Sequence, residues 1–402
     1  MNDMRFNPFA KNFSAAPYAH YRDLREQDPV HRSAMGIWVL TRYAEVSQVL
    51  RDPSYSSEVS RWPGFAQRYR SRPGVAWLLT HSVLNRDEPD HKPLRRAIIQ
   101  AFSPASEGRL ARMIDDILEQ RLNALDGDQD FDAVGDFALP VPVSTVCRVF
   151  DVASADQAQV KAWSNQVASL IEPLPAAPVL GDAAAGIAAF KEYLREKMEC
   201  PEDAGLAGDL MRSMQEHPVG LEDALANLVL MFPAGHETTV NLIGNGLLLL
   251  LRHPEQRRLL REQPDLWPKA IEEILRVESP QQIAWRVATQ DHELAGKRIA
   301  AGDQLMLVLG AANRDPEVFE DPERFDITRT NNRHVAFGLG RHACLGGWFA
   351  RMQGQRALQA IVARFPRLSL AGAPLWHPTV SFHGLRHLPV TRAPAFPNGG
   401  QQ

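Results

Sequence analysis

The chain has 402 residues, of which 45% are hydrophobic and 23% are charged, proportions typical of a globular protein and not of a disordered one. Lysine and arginine number 44 against 48 aspartate and glutamate residues, so the net charge of −4 offers no basic excess for nucleic acid or an anionic membrane. Three cysteines are too few for a disulfide framework. We therefore expect a cytoplasmic protein that binds neither nucleic acid nor membrane.

The first part of the chain predicts a hairpin, a helix and an irregular segment. Val30–Ser33 and Ile37–Thr41 flank a Met-Gly pair, which is typical of a short β-hairpin, and Tyr43–Arg51 follows as a helix. The segment Ser54–Asp90 is dense in Pro, Gly, Arg and Trp without sustained periodicity, so we expect an irregular excursion there.

Helical patterns dominate the rest of the chain. Apolar residues recur three and four apart in Pro93–Ala124, and Trp267–Glu278 is also predicted to be helical. The Pro- and Ala-rich segment Glu172–Asp182 is predicted to join two helices. Short strands are predicted at Ala284–Thr289 and, around Ala295-Gly296, at Glu293–Ile299.

One long apolar segment, Leu225–Leu251, resembles a membrane span at first sight. Its middle contains Glu237 and its second half contains Asn241 and Asn245, which lipid would leave unsatisfied. Because the segment is apolar nearly all round, we expect a helix in the core of a large helical domain. The predicted fold is mainly α with a minor β part, in a single domain over residues 1–402.

The most informative segment is Phe337–Gly346, with sequence FGLGRHACLG, just before the predicted helix Trp348–Phe365. Its glycines let the backbone approach a bulky group, and backbone N–H groups at a helix N-terminus stabilise the thiolate of Cys344. Structural zinc needs about four ligands, whereas only His342 lies near this cysteine. Neither of the two common glycine-rich nucleotide-binding patterns is present. The candidate that remains after these two is a haem iron held by one cysteine.

This segment matches every fixed position of F-G-x-G-x-H-x-C-x-G, and the chain thereby resembles the cytochrome P-450 family of haem-thiolate monooxygenases. The resemblance implies a helix-rich fold, a haem b cofactor and Cys344 as the iron ligand. It also implies that Phe337, Gly338, His342 and Gly346 lie against the haem.

The second signature of the family, E-x-x-R, occurs as Glu273 to Arg276 in the predicted helix Trp267–Glu278. Residues three apart share a helix face, so this carboxylate and guanidinium can pair. The resemblance implies that the side chain of Arg324 shares the Glu273 carboxylate and that the trio stabilises the core near the haem.

The third signature, A-G-x-[DE]-T, includes Ala234, Gly235, Glu237 and Thr238 in the long apolar segment. The resemblance places this segment across the distal face of the haem, with the helix locally unwound. Thr238 and Glu237 are then implied to deliver protons during oxygen activation, which requires protons while bulk water is excluded.

Basic side chains that suit haem propionates occur in family order. The resemblance implies His91 and Arg95, Arg286, and His342 as these anchors, and Arg96 is an alternative to Arg95.

The resemblance implies a monomeric monooxygenase that receives electrons from NAD(P)H through ferredoxin reductase and ferredoxin. Three cysteines cannot supply an iron–sulfur cluster as well as the haem ligand. Arg341, Arg351 and Arg356 are candidates for contact with an acidic ferredoxin.

Hydroxylation or epoxidation of a polyketide, macrolide or terpenoid skeleton is expected, and a fatty acid suits the same apolar residues. The alternatives are a peroxide-driven fatty-acid peroxygenase and a non-catalytic haem-binding protein. Family position assigns the following residues to the substrate pocket: Trp62, Phe65, Trp77, Leu78, Val167–Leu174, Leu230, Ala234, Ile283–Trp285 and Phe382.

Overall fold

The computed structural model describes residues 6–8, 13–102, 107–127, 130–172, 177–199 and 205–392. Over these ranges the chain is rich in helices and has small sheets, so the predicted mainly α fold with a minor β part is confirmed. The helices are α1 (Pro17–Gln27), α2 (Tyr43–Arg51), α3 (Phe65–Tyr69), α4 (Pro73–His81), α5 (His91–Ala101), α6 (Glu107–Ala124), α7 (Pro140–Val149), α8 (Gln157–Ala168), α9 (Ala177–Glu199), α10 (Gly205–Glu216), α11 (Leu221–Arg252), α12 (Pro254–Glu262), α13 (Trp267–Val277), α14 (Leu309–Ala312) and α15 (Gly347–Arg364).

The strands are short and form four small sheets in the described chain. They are β1 (Val30–Arg32), β2 (Trp38–Leu40), β3 (Tyr55–Ser56), β4 (Asp130–Asp132), β5 (Ile283–Ala288), β6 (His292–Leu294), β7 (Lys297–Ile299), β8 (Gln304–Val308), β9 (Ser369–Leu370), β10 (Leu375–Trp376), β11 (Leu385–His387) and β12 (Pro389–Thr391). The largest sheet has the order β1-β2-β8-β5-β3, and the others are β4-β12-β9, β10-β11 and β6-β7. In the largest sheet β2 pairs parallel to β8 and antiparallel to β1, while β5 pairs antiparallel to β8.

The 32-residue helix α11 crosses the helical part of the molecule and packs against α4, α7, α8, α9, α13 and α15. Its first half, around Phe232, belongs to one apolar core, and its second half, around Leu247, belongs to another. Small residues allow close contact with the neighbouring helices. A Cβ on Gly246 would lie 2.7 Å from Leu358 of α15, and a Cβ on Gly354 would lie 2.6 Å from Leu242. Packing against these neighbours therefore buries most of the helix.

Several sequence predictions agree with these elements. The hairpin is confirmed, with Val30 opposite Leu40, and α2 has the predicted bounds. The buried helix, the helix at Trp267 and the short strands after it are also confirmed. Among the described helices, none is both long and apolar enough to cross a membrane.

Three sequence predictions need correction. The segment Ser54–Asp90 is more regular than expected, because it contains β3, α3 and α4, and α4 buries Val75 and Leu78. The helical run Pro93–Ala124 is divided between α5 and α6. The link Glu172–Asp182 is shorter than predicted, since α9 already begins at Ala177, and residues 173–176 lie outside the described ranges.

Candidate active site

The loop Phe337–Gly346, called the Cys loop below, is closed by backbone hydrogen bonds immediately before α15. The N–H of Cys344 donates to the carbonyl oxygen of Phe337 at 2.9 Å. Gly338 and Gly340 have φ values of +65° and +70°, a region that side chains disfavour. At Gly340 a Cβ would also lie 2.8 Å from the carbonyl oxygen of Leu50 in α2. The glycines therefore permit a backbone path that presents Cys344.

The thiol of Cys344 is exposed, although protein atoms surround it closely enough to desolvate it. This burial raises its pKa, while the backbone N–H groups of Gly346 and Gly347 and the charges of Arg351 and Arg95 act in the opposite direction. A metal displaces the thiol proton, and the same donors then stabilise the bound thiolate. No cluster of three or more His, Cys, Asp or Glu side chains that could hold a metal occurs in the described ranges.

A group of basic side chains lies beside the Cys loop. Arg95 of α5 donates from Nη2 to the carbonyl oxygen of Ala343 at 2.8 Å. The ring centroids of His91 and His342 lie 4.3 Å apart. Arg286 of β5 is buried, and burial lowers its pKa to about 10. Nε2 of His91 is buried without a hydrogen-bond partner among the described residues. These donors suit the carboxylates of a bound ligand.

The electrostatics of this basic group depend on Asp87. Its carboxylate accepts a hydrogen bond from Ser56 and lies 3.3 Å from Nε2 of His342. Burial alone would raise the pKa of Asp87, but the hydrogen bonds from His342 and Ser56 hold it below its ordinary value. Burial, with smaller effects from His342 and Arg95, lowers the pKa of His91 to about 4. His91 is therefore neutral at pH 7 and can donate from one ring nitrogen.

One face of α11 carries Glu237 and Thr238, the two residues expected to act in oxygen activation, together with Ala234 of the same signature. Ala234 is exposed although its helix runs through the core, and Glu237 and Thr238, three and four residues later, lie on the same face and are half-buried. This face of α11 is therefore accessible at these three residues, and the space beside it is called the cleft below. The hydroxyl of Thr238 donates to the carbonyl oxygen of Ala234 at 3.2 Å, and that of the buried Thr239 donates to Gly235 at 3.3 Å.

The resemblance implied that the helix is locally unwound at this position, and this prediction is wrong. α11 is helical without a break from Leu221 to Arg252, even though Pro233 provides no N–H group for the helix. The two threonine hydroxyls bond within the helix instead of opening it. A Cβ on Gly235 would lie 3.1 Å from Val146 of α7, so packing between helices explains the small residue there.

The Glu237 carboxyl is the titratable group on this face of α11. Its own burial raises its pKa, but His236, and more weakly His377 and Lys161, lower it below the ordinary value. Glu237 is therefore ionised at neutral pH and can accept a proton at its carboxylate.

The E-x-x-R pair is completely buried. Glu273 accepts hydrogen bonds from Nε and Nη2 of Arg276, both at 2.8 Å. The remaining N–H groups of Arg276 donate to backbone carbonyl oxygens of Asn313, Pro322 and Arg324. The pair therefore fixes two loop segments against α13.

The prediction that the Arg324 side chain is the third member of the trio is wrong. The guanidinium of Arg324 is exposed and lies 3.8 Å from Asp326, and only its backbone carbonyl contacts Arg276. The second cation that contacts Glu273, besides Arg276, is Arg329, whose Nε lies 3.2 Å from both carboxylate oxygens. The backbone places the Arg324 side chain on the solvent side of the loop. At Arg329 it places the side chain against Glu273. The expected segment is near the pair, but a different arginine fills the role.

Glu272, the residue before Glu273, was not identified from the sequence. It accepts hydrogen bonds from Arg351 of α15 at 2.6 and 2.9 Å and lies 3.0 Å from Nε2 of His334. The guanidinium of Arg351 lies 4.3 Å from the ring centroid of Phe337, so this contact connects α13, α15 and the Cys loop. Burial raises the pKa of Glu272, but His334 and Arg351 more than offset this and lower it to about 2.

The residues that were assigned to the substrate pocket fall into a buried group and a partly exposed group. Leu78, Val167 and Ile283 belong to the buried cores, and Trp62 lines a separate surface pocket with Met35. Phe65, Trp77, Trp285 and Phe382 are partly exposed, as is Leu230, and Ala284 has the same intermediate exposure. Part of Val167–Leu174 falls in residues 173–176 and lies outside the described ranges.

Known proteins match this chain over most of its length. The cytochrome P450 family model matches residues 187–372. A biotin biosynthesis cytochrome P450 of Bacillus subtilis is 33% identical over 390 residues, covering 95% of this chain and 98% of the relative. The chain belongs to the cytochrome P450 family.

Two further P450 proteins are similar to this chain, one in sequence and one in structure. The polyketide biosynthesis cytochrome P450 PksS of Bacillus subtilis is 31% identical, covering 97% of this chain and 99% of the relative. The structure of epothilone D-bound cytochrome P450epoK superposes with a TM-score of 0.90 at 27% identity, covering 97% of this chain and 99% of the other. This P450 is accordingly a monooxygenase of the family with a haem-iron cofactor.

The described residues fit a haem. The Cys loop presents one thiol to backbone N–H donors, which is the ligand type of a P450 iron. The buried, unpartnered Nε2 of His91 lies in a basic group that suits propionate carboxylates.

Proposed function

We propose that this P450 inserts one oxygen atom of dioxygen, by hydroxylation or epoxidation, into a hydrophobic small molecule of the polyketide, macrolide or terpenoid type. The observation that carries the proposal is the exposed Cys344 thiol, held in a loop that contacts the basic group of His91 and Arg95. This arrangement provides a single iron ligand and carboxylate anchors side by side. Residues 1–402 form one haem domain in this proposal.

In this proposal Cys344 is the iron ligand, and Phe337, Gly338 and Gly346 surround it in the Cys loop. His91, Arg95, Arg286 and His342 hold the propionates through N–H donors. These four side chains meet near the Cys loop although their positions span 251 residues of sequence, from 91 to 342. Bound carboxylates would give the buried Nε2 of His91 the partner that it lacks.

The haem, when bound, supplies the redox chemistry that activates dioxygen. The chain supplies protons and excludes water. Glu237 is the half-buried acid on the cleft face of α11, and Thr238 presents a hydroxyl one residue further along. The Thr238 hydroxyl can exchange its bond to Ala234 for a bond to a ligand in the cleft, and Glu237 can pass a proton at its carboxylate. The small side chain of Ala234 leaves room beside these groups, and Gly235 allows the close packing of α11 against α7.

Two observations support a hydrophobic secondary metabolite as the substrate class. The candidate wall residues with partial exposure, such as Phe65, Trp285 and Phe382, are apolar. One relative is named for polyketide biosynthesis, and one structural neighbour was determined with epothilone D bound.

Electrons are proposed to come from NAD(P)H through a ferredoxin reductase and a ferredoxin, and the protein is proposed to act as a cytoplasmic monomer. Once Cys344 binds iron, two cysteines remain, too few for a four-thiolate cluster in these 402 residues. Of the arginines considered for the ferredoxin contact, Arg351 is held by Glu272 and Arg356 by Asp115. Both retain part of their surface exposure and can add to a basic docking surface.

The test is a two-stage screen of the purified holoenzyme. Macrolide, polyketide, terpenoid and fatty-acid compounds are first compared by the shift that each causes in the haem absorption band. Compounds that bind are then incubated with NADPH, a ferredoxin and its reductase, and the products are identified by mass spectrometry with labelled dioxygen. We expect a product that carries one labelled oxygen atom. Turnover with hydrogen peroxide but not with the ferredoxin chain would contradict the proposal.

A further inference from the structure

His236 lies between Gly235 and Glu237 in the third signature and is completely buried. Its Nδ1 lies 2.9 Å from the carbonyl oxygen of Phe232, one turn earlier in α11. A carbonyl oxygen only accepts hydrogen bonds, so Nδ1 must carry a proton. The tautomer of the ring is thereby fixed, and Nε2 bears either a lone pair or a second proton.

The Nε2 atom of His236 lies 3.2 Å from Oε1 of Glu237. It is otherwise buried and has no aligned hydrogen-bond partner among the described residues. If His236 were neutral and Glu237 ionised, a lone pair and a carboxylate oxygen would face each other away from water, which is unfavourable. One proton between the two atoms removes this conflict, whether it resides on the imidazole or on the carboxyl group.

The charges around the two side chains come from neighbouring elements. Lys161 of α8 and His377, which follows β10, both act on Glu237, and Arg386 of β11 acts on His377. Lys161 and His377, when protonated, favour the ionised form of Glu237, whereas the charge of Arg386 acts on His377 and lowers its pKa. Burial lowers the pKa of His377, whereas the charge of Glu237 acts to raise it.

We propose that His236 is a positioning residue that shares one proton with Glu237, so that the two side chains exchange protons with the cleft as a unit. The proposal rests on the proposed role of Glu237. Because His236 is inaccessible and Glu237 is partly exposed, the unit gains and loses its proton through the carboxyl group.

The anchored ring also limits the movement of Glu237. Nδ1 is fixed to the backbone of α11, and the ring packs edge-on against Phe232 with centroids 5.8 Å apart. Rotation of the imidazole would break the bond to Phe232. His236 therefore holds the carboxyl group on the face of α11 that also carries Thr238, where a proton can be passed without water from the bulk.

The direct test uses NMR of the holoenzyme labelled with ¹⁵N-histidine, in the diamagnetic ferrous CO-bound form. The His236 signals are identified by their loss in His236→Gln. We expect Nδ1 to stay protonated throughout a titration from about pH 5.5 to 8.5, and the Nε2 titration to move by about one pH unit or more in Glu237→Gln. An Nε2 titration that is the same in wild type and Glu237→Gln would overturn the proposal.

A second test compares three enzymes in turnover with NADPH and ferredoxin. His236→Phe keeps the ring volume but removes both nitrogens, whereas the amide of His236→Gln can still donate to Glu237. We expect the hydrogen peroxide released per product to rise on the order of tenfold in His236→Phe, less than complete loss of a general acid would cause. The pH profile of coupling should also shift in His236→Phe, and His236→Gln should recover most of the coupling.

Coupling and a pH profile in His236→Phe that match the wild type would contradict the proposal. Normal turnover of Glu237→Gln would instead contradict the proposed role of Glu237 itself. If His236→Phe does not fold, as judged by its CO spectrum, the NMR comparison between wild type and Glu237→Gln still decides.

Discussion

The carboxylate of Glu273 contacts Arg329 across 56 residues of sequence, with Nε of the arginine 3.2 Å from each carboxylate oxygen. Glu273 also receives two hydrogen bonds from Arg276, and both members of that pair are fully buried. One carboxylate therefore holds two guanidinium groups. The segment before the Cys loop is attached to α13 through these contacts.

The first prediction separates Arg329 from Arg324. Arg329→Gln should lower the free energy of unfolding by about 1–3 kcal/mol, because a buried carboxylate loses one of its hydrogen-bonding partners while Arg276 remains. Arg324→Gln is the matched control and should change stability by less than about 0.5 kcal/mol, since its side chain is exposed. Urea unfolding of the two holoenzymes measures this. Equal effects of both substitutions would contradict the assignment.

The second prediction concerns Glu273 itself. Glu273→Ala would leave the buried Arg276 without its carboxylate, at a cost of roughly 3–5 kcal/mol. We expect little or no haem-loaded protein from this variant, measured as the ratio of haem absorbance to protein absorbance after purification. A haem-replete Glu273→Ala enzyme of normal stability would show that the pair is not required for folding.

Local sequence patterns predicted the elements whose structure depends on local interactions. The hairpin, α2 and the pairing of Glu273 with Arg276 follow from spacing along the chain. The arginine that joins this pair could not be predicted, because the direction of a side chain in a loop depends on the backbone path between Arg324 and Arg329. The family pattern identified the correct segment and the wrong side chain.

The link between Glu272 and Arg351 was missed for a similar reason. The two residues lie on different helices and are 79 positions apart. An acidic residue on a helix is usually solvated, and nothing in its sequence neighbours marks this one as a partner of the Cys loop. The helices α3 and α4 were missed because the glycines and prolines of that segment outweighed a weak pattern in which Val75 and Leu78 are three apart.

The third prediction concerns pH and Glu272, whose pKa is lowered to about 2 in the folded protein. The stabilisation from an ionised Glu272 is fully present above its unfolded pKa of about 4.3 and is lost as the pH falls towards its folded pKa. Glu272→Gln should therefore be less stable than wild type at pH 6, and the difference should shrink below about pH 4.3. Urea midpoints over this range measure it. A difference that stays constant would contradict the pKa shift.

The fourth prediction tests the iron ligand. Cys344→Ser should lose the red-shifted absorption band that a thiolate-ligated ferrous haem shows with CO, because serine cannot supply the thiolate. Cys147→Ser is the control, since Cys147 is buried in an apolar core and burial raises its pKa to about 11. The band should persist in Cys147→Ser. Cys200 lies outside the described residues. Retention of the band in Cys344→Ser would assign the ligand elsewhere.

The fifth prediction uses the two adjacent threonines of α11. Thr238 is half-buried on the same helix face as Ala234, whereas Thr239 points about 100° away and is buried. Thr238→Val keeps the volume of the side chain but removes its hydroxyl, so substrate should still bind with a normal shift of the haem band.

Consumption of NADPH should continue in Thr238→Val, but more of it should yield hydrogen peroxide instead of product, because the cleft would lose the hydroxyl that is proposed to help deliver protons. Thr239→Val should remain coupled, since its hydroxyl bonds only to the carbonyl oxygen of Gly235 at 3.3 Å. The measurement is peroxide and product formed per NADPH with saturating ferredoxin. Uncoupling by Thr239→Val alone would assign the role to the other threonine. Normal coupling in both variants would exclude a threonine hydroxyl from proton delivery and leave Glu237 to act without it.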